Sequence, residues 1–219
     1  MAVNLARSPT LPLPVAAPPE RASRRVLDVG GAVILLVLTL PLLLLGALLV
    51  LVGSGRPVFF GHRRIGMGGR PFRCWKLRTM TRGAELWLAL DPQLRERHSR
   101  NGFKLRVRED PRVTPVGRWL RRTHIDELPQ LFNVIGGTMS LVGPRPVVED
   151  ELAHYGEAAA EFLGTRPGIF GAWTSRGRRR PPYPERARLE LAYVRSRSAG
   201  MDLRILLRSV PVVLRGQED

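Results

Sequence analysis

Residues 29–52 read Val-Gly-Gly-Ala-Val-Ile-Leu-Leu-Val-Leu-Thr-Leu-Pro-Leu-Leu-Leu-Leu-Gly-Ala-Leu-Leu-Val-Leu-Val, with no charged side chain. A helix of this length extends about 36 Å at ~1.5 Å per residue, which exceeds the ~30 Å hydrocarbon core of a bilayer. A secretory signal does not fit, because the stretch is too long, starts too late and is followed by no small-residue cleavage site. A buried helix of a soluble protein does not fit either, since so long and pure an apolar run leaves no face for water. The segment therefore belongs in a membrane. Pro41 sits at its middle, where proline removes a backbone donor and clashes with the preceding turn. Each half is then about 12 residues, or ~18 Å.

The flanks bear on topology. Arg21, Arg24 and Arg25 precede the segment, and Arg56, Arg63, Arg64 and Arg70 follow it. Basic residues beside a membrane end favour the cytoplasmic side, so both ends ask for the same side. A hairpin over residues 25–54 that enters and returns satisfies both. A kinked single span, with the rest of the chain on one side, is the competing reading. Residues 1–24 carry Pro9, Pro12, Pro14, Pro18 and Pro19 with few large apolar side chains, and read as a disordered basic tail. Residues 55–219 are long enough for one domain with its own core.

The chain of 219 residues has a formal net charge of +16, carried by 35 basic residues of which only Lys76 and Lys104 are lysines. Nucleic acid, anionic lipid and phosphorylated substrates all suit such a surface; an arginine bias also follows from base composition alone. The single cysteine, Cys74, excludes an intrachain disulfide and a cysteine-rich zinc site, and points to packing in an apolar strand. The four histidines show no ligand spacing. No internal repeat is visible.

Along the domain, residues 53–80 read as strands and turns, with Gly66, Gly68 and Gly69 making a hairpin turn. Residues 81–110 are polar and helix-permissive. A helix is expected over Val113–Arg122, and a second from Thr123 or Asp126 through Leu131 and Val134 to Gly136. Met139–Val142 is an apolar piece ended by the Gly143-Pro144-Arg145-Pro146 turn. Leu203–Leu214 is apolar with Arg204, Arg208 and Arg215 on one face, a pattern that suits both a membrane interface and a helix packed on the domain. The fold class is α/β (α+β), mostly helical with short strands.

The stretch Arg121-Arg122-Thr123-His124-Ile125-Asp126-Glu127-Leu128-Pro129 sets two adjacent carboxylates at an expected helix start. Thr123 followed by Asp126 resembles a capping box; alternatively Asp126 is itself the cap, with Pro129 in the first turn. Acidic residues at helix starts commonly do no more than complement the dipole. A helix N-terminus also offers free amides to phosphate and keeps a nucleophilic carboxylate ionised. Arg121, Arg122 and Arg145 are placed to gather around a diphosphate, and paired carboxylates bind Mg²⁺ together with substrate phosphates. A carboxylate, a metal and arginine clamps are the parts of phosphoryl transfer.

These residues carry a resemblance. Gly55-Arg56-Pro57-Val58-Phe59-Phe60, Lys76-Leu77-Arg78-Thr79-Met80, Asp110-Pro111-Arg112-Val113, the run Asp126 to Val134 and the run Met139 to Pro146 resemble blocks of the bacterial sugar transferases, the monotopic phosphoglycosyl transferases. Arg166-Pro167-Gly168-Ile169 and Asp202-Leu203-Arg204-Ile205-Leu206 add to it, so the likeness runs from residue 24 to the end. It implies a re-entrant helix-break-helix in the bacterial inner membrane, broken at Pro41, and a catalytic domain on the cytoplasmic face with amphipathic interfacial helices. It implies a ping-pong transfer of sugar-1-phosphate from a nucleotide-sugar, expected to be a UDP-sugar, to polyprenyl phosphate in polysaccharide or glycoconjugate synthesis. Asp126 would be the nucleophile, Glu127 would assist with Mg²⁺ or proton movement, and Asp126 and Glu127 would hold the Mg²⁺ cofactor. Arg145, Arg121, Arg78 and Lys76 would bind phosphate, and Glu190 would be a supporting carboxylate. The partners implied are donor, acceptor and bilayer, without nucleic acid and with room for a homo-oligomer.

The sequence departs from that pattern in four places. Leu40-Pro41 stands where the family has Ser-Pro, with Thr39 one residue earlier. Gly171-Ala172-Trp173-Thr174 replaces Gly-Trp-Ala-Gln, an arginine- and proline-rich insert follows over Arg176–Pro184, and Glu190 replaces an aspartate. Two other readings compete: a membrane-tethered basic module that binds nucleic acid or acidic lipid without catalysis, and a scaffold that has lost activity. The first gives no reason for an Asp-Glu pair among arginines and lacks an aromatic stacking platform; intact Asp126, Glu127 and Arg145 oppose the second.

Overall fold

A computed structural model describes residues 22–216 except 101–104, 106 and 177–180. The apolar stretch forms α1 (Ala22–Ser54). Residues 22–24, expected in the tail, are its first turn, while residues 1–21 lie outside the described residues. The helix continues through Pro41 and is not broken there. Proline deletes a single ladder bond, and Thr39 Oγ1 donates to Leu35 O (2.7 Å) in the same stretch.

One face of α1 lies along the domain. Ala32, Leu43 and Val50 are buried in two core clusters. Small residues let the surfaces meet closely: a Cβ on Gly31 would lie 2.7 Å from Leu141, and one on Gly46 2.8 Å from Leu77. The other face, including Ile34, Val37, Leu38, Leu44, Leu48 and Val52, is exposed. Both ends are fastened. At the N-terminal end Arg25 donates to Val134 O (2.7 Å) and Ile135 O (2.8 Å), and Arg24 pairs with Asp202 (2.9 Å). Buried Asp28 accepts from Ser140 Oγ (2.7 Å) and from the Leu141 N–H (2.9 Å). At the C-terminal end Arg78 Nη2 donates to Ser54 O (2.6 Å) and Gly55 O (2.7 Å).

The expected hairpin is present: β1 (Phe59–Ile65) pairs antiparallel with β2 (Pro71–Leu77), Phe59 opposite Leu77. The region 81–110 supplies α2 (Ala84–Leu90) and α3 (Pro92–Arg100). The next helix, α4 (Pro115–Arg122), starts two residues later than expected because Thr114 caps it, its Oγ1 accepting from the Gly117 N–H (3.0 Å) with Pro115 behind it. The helix expected from Thr123 or Asp126 is corrected. His124 adopts a left-handed φ of 57°, Ile125–Glu127 is a short 3₁₀ turn, and α5 begins only at Gln130 (Gln130–Ile135). No capping box forms; the Thr123 hydroxyl bonds back to Trp119 O (3.0 Å).

β3 (Ser140–Val142) then pairs in parallel with β4 (Gly168–Phe170), the return passing through α6 (Glu149–Leu152) and α7 (Ala159–Leu163). α8 (Glu185–Ser196) and α9 (Ala199–Arg215) complete the chain. On α9 only part of the apolar surface is packed: Ile205 is buried, but Leu203, Leu207 and Val210 are exposed beside Arg204 and Arg208. The α+β class, mostly helical with short strands, stands.

The two glycine-proline turns meet here. A Cβ on Gly168 would lie 2.0 Å from the Gly143 N, so backbone touches backbone and no side chain fits. Gly168→Ala is expected to destabilise the fold by about 3 kcal/mol, whereas Gly30→Ala, with open space around it, is expected to be neutral. Thermal unfolding of the two variants in detergent checks this; equal midpoints would contradict it.

Candidate active site

The Asp-Glu pair is placed by three local devices. The α4 helix sits directly on the strand-end segment at Thr79, where a Cβ on Gly117 would fall 2.0 Å from Thr79 O. The left-handed His124 then swings the chain away from α4. Asn133 staples α5 to β2: Oδ1 accepts the Trp75 N–H (2.9 Å), while Nδ2 donates to Arg73 O (2.8 Å) and Thr138 Oγ1 (3.0 Å). The pair thus rides on a tight turn between two anchored helices. Asp126 is buried and Glu127 is partly exposed.

Glu127 faces a cleft lined by Arg64, Cys74, Lys76, Gln130, Arg145 and Ile169. Lys76 Nζ lies 2.5 Å from Glu127 Oε1. Burial pushes the Glu127 carboxyl up, but the charges of Lys76 and Arg145 outweigh it and hold the group well below the usual carboxylate range. His62 is driven down to about 4 by burial and by Arg64, Lys76 and Arg145, so its imidazole is neutral. Arg64 is lowered to about 10 by burial and by Arg145, and stays charged at neutral pH. The cleft therefore presents three cations against one carboxylate, an excess suited to a diphosphate.

Behind this wall is a second layer. Glu190 is fully buried; its Oε2 accepts the Arg145 N–H (3.2 Å) and its Oε1 accepts Trp173 Nε1 (2.6 Å). The Arg145 guanidinium stands 5.9 Å from the Trp173 ring centroid. Burial lifts Glu190 to about 7 despite these donors. Glu151 bridges Arg186 (2.9 Å) and Arg64 (3.4 Å).

Of the residues singled out from sequence, the fold brings Lys76, Glu127 and Arg145 to one cleft, and Glu190 to the back of Arg145. Arg121 donates from Nε to Thr79 Oγ1 (2.9 Å); burial lowers its pKa while the nearby Asp126 charge raises it. Asp126 does not itself line the cleft, and neither does Arg78, which clasps the end of α1. Pro41 lies within α1. Arg64, Gln130 and Trp173 were missed as site residues. The hairpin register would have found Arg64, since the pairings Arg64–Phe72 and His62–Cys74 put it on the face of Cys74 and Lys76. Among the described residues no three His, Cys, Asp or Glu side chains cluster as a metal cage.

Comparison with known proteins bears on this arrangement directly. Residues 19–216 match the bacterial sugar transferase family. The chain is 43% identical over 195 residues to the exopolysaccharide production protein ExoY of Rhizobium meliloti, covering 87% of this chain and 85% of that one. It is 38% identical over 200 residues to the undecaprenyl-phosphate galactose phosphotransferase of Salmonella typhimurium, covering 90% of this chain and 41% of that longer protein. It is 39% identical over 199 residues to the UDP-glucose:undecaprenyl-phosphate glucose-1-phosphate transferase of Caulobacter vibrioides, with 87% and 69% covered. The match embraces the cleft, the Asp-Glu turn and α1 alike, and the chain belongs to the bacterial sugar transferase family, an enzyme of the phosphoglycosyl transferase class.

Proposed function

We propose that the protein transfers a sugar-1-phosphate from a nucleotide-sugar, a UDP-sugar, to a polyprenyl phosphate at the cytoplasmic face of the bacterial inner membrane, through a covalent intermediate on Asp126. The observation that carries this reading is the cleft in which Lys76, Arg145 and Arg64 surround an ionised Glu127, one residue from Asp126. A carboxylate of Asp126 attacks the sugar-bearing phosphorus; the bond to the bridging oxygen breaks and nucleoside monophosphate departs. An oxygen of the lipid phosphate then attacks the same phosphorus, the bond to Asp126 breaks, and the lipid leaves as a diphosphate-linked sugar. Arg145 and Arg64 hold the phosphate oxygens and spread their charge. Lys76 keeps Glu127 ionised and oriented.

Mg²⁺ fits this donor set, because that ion characteristically takes one or two carboxylates and fills its sphere with water and substrate phosphate. Asp126 and Glu127 would hold it, and when bound it would neutralise charge developing on the phosphate.

The membrane reading follows from α1. α1 is one unbroken helix of 33 residues, about 50 Å long, and Arg24, Arg25 and Asp28 at one end and Ser54 and Gly55 at the other are fastened to the same domain, so the domain lies along the helix rather than beyond one end of it. Both ends on the cytoplasmic side, with the exposed apolar face in lipid, accommodate these contacts. The exposed leucines of α9 extend the same interface.

Cysteines placed at Ala22 and Arg63 are expected to be equally protected from an impermeant maleimide in intact spheroplasts and equally labelled after lysis, with buried Cys74 silent. Labelling of one site alone from outside would establish a span. For the chemistry, enzyme mixed with labelled nucleotide-sugar and no lipid is expected to release about one nucleoside monophosphate per site and to carry label on the Asp126 peptide; Asp126→Asn should do neither while still binding donor. Monophosphate release only in the presence of lipid phosphate would show that the lipid attacks directly. Glu190 gives a pH signature. Its folded pKa near 7 lies above the ~4.3 of an unfolded chain, so its contribution to stability is full below that lower value and is lost as pH rises through 7. Glu190→Gln is expected to flatten the fall in unfolding midpoint between pH 5 and pH 8; an unchanged slope would assign the pH dependence elsewhere.

A further inference from the structure

Arg78 sits away from the cleft and has donors to spare. It is 7% exposed. A guanidinium has five N–H donors, and here only Nη2 is engaged, on Ser54 O and Gly55 O. Nε and Nη1 are buried without a partner, and so is the hydroxyl of Ser54. Capping the last carbonyls of α1 explains the Nη2 contacts and the favourable placement of a cation at a helix C-terminus. It leaves the remaining three N–H groups unexplained, and buried charged donors without acceptors are costly.

The surroundings sharpen the deficit. Arg82 Nη2 donates to Arg56 O, and a Cβ on Gly55 would be 3.5 Å from that same Nη2. Arg78 and Arg82 therefore converge on one short piece of backbone, residues 54–56, and Arg82 lowers the Arg78 pKa alongside burial. Among the described residues no carboxylate forms an ion pair with Arg56, Arg78 or Arg82; Glu85, three residues from Arg82, forms none. Like charges gathered without a counter-charge ask for an anion.

We propose that Arg78, Arg82, Arg56 and the Ser54 hydroxyl form a binding site for the phosphate of a membrane lipid, separate from the catalytic cleft. The location selects a lipid over a free anion. The site begins where the apolar α1 ends, and it is flanked by exposed Phe59 and Phe60 at the start of β1 and by exposed Leu86, Trp87 and Leu90 on α2. Aromatic and aliphatic side chains around a basic cluster are what the headgroup layer of a bilayer accepts. Arg82 is exposed and held only through a backbone oxygen, so its guanidinium has freedom to turn onto a phosphate bound beside Arg78. The proposal rests on the membrane placement of α1 given above and is independent of the transfer chemistry.

Native mass spectrometry of the full-length protein in neutral detergent tests it, with phosphatidylglycerol, polyprenyl phosphate and inorganic phosphate titrated separately. One phosphatidylglycerol per chain is expected to be retained, or, for polyprenyl phosphate, one copy beyond that held by the catalytic cleft, and the lipid with the lower Kd for the Arg82-sensitive copy identifies the source of the phosphate. Arg82→Glu reverses an exposed charge and Arg78→Lys keeps the charge but removes the planar fork; each is expected to weaken lipid retention roughly tenfold or more, with circular dichroism reporting that the fold is kept. Retention by folded Arg82→Glu equal to that of the native protein would overturn the proposal. So would binding of inorganic phosphate with no binding of either lipid, which would make this a free-anion site. Because the readout is lipid retention, a negative result leaves the covalent role of Asp126 untouched, and loss of that role leaves this site standing.

Discussion

An apolar helix of 33 residues has no hydrophobic reason to prefer a protein surface over lipid, because both are equally dry. What holds α1 to the domain is therefore the polar hardware at its two ends and close packing between them. Arg24, Asp202 and Tyr193 form one knot across α1, α8 and α9, the Tyr193 hydroxyl donating to Asp202 (2.6 Å) and accepting from Arg24 (3.2 Å). Asp28 reaches β3. Between the ends, glycine and alanine replace bulk, so that Leu77, Leu120 and Ile125 press against the helix at Gly46. The last of these matters for function: Ile125 is the residue before Asp126, so the same seam that fixes the helix also fixes the turn bearing the carboxylates.

This coupling explains why the cleft needs so little of its own scaffolding. Lys76 comes from the end of β2 and Glu127 from the 3₁₀ turn, two elements that both rest on α1. Arg145 comes from a proline-bounded turn whose amide is anchored by Glu190. Each charged group thus has its backbone constrained before its side chain is aimed, which reduces the entropy lost when the cleft closes on an anion.

Much of this was legible in the sequence because it rests on short-range signals. The charge-free run at 29–52, the glycine turn at 66–69 and the Asp-Glu block each carry their own structural instruction, while the Thr114 cap that sets the start of α4 went unread. What the chain did not disclose depends on contacts distant in sequence. His124 in a left-handed conformation ends the expected helix, and no local pattern marks it, since histidine rarely pays that cost without surrounding packing. Pro41 reads as a break, yet the helix continues because a single lost bond is small beside the packing on both sides of it. The resemblance implies a phosphate ligand in Arg78, but the strand ends at Leu77, and the next residue turns toward Ser54 and Gly55. Trp173, displaced by one position from the family pattern, donates its indole N–H to Glu190 at 2.6 Å, a pairing across 17 residues that no local pattern marks.

The contact between Gly143 and Gly168 has a consequence for how such proteins diversify. Both ends of the intervening segment are pinned by direct backbone contact and by the β3–β4 pairing, so residues 144–167 form a closed excursion whose anchor points do not depend on its length. Lengthening a closed loop costs only ~0.6 kcal/mol per doubling. Insertions at the exposed turn of Gly156 and Glu157 between α6 and α7 are thus cheap, whereas the helices themselves are held by buried Glu151, Leu152, Phe162 and Leu163 and the two pins admit no side chain. A lineage can remodel that tip without disturbing the turn that holds Asp126.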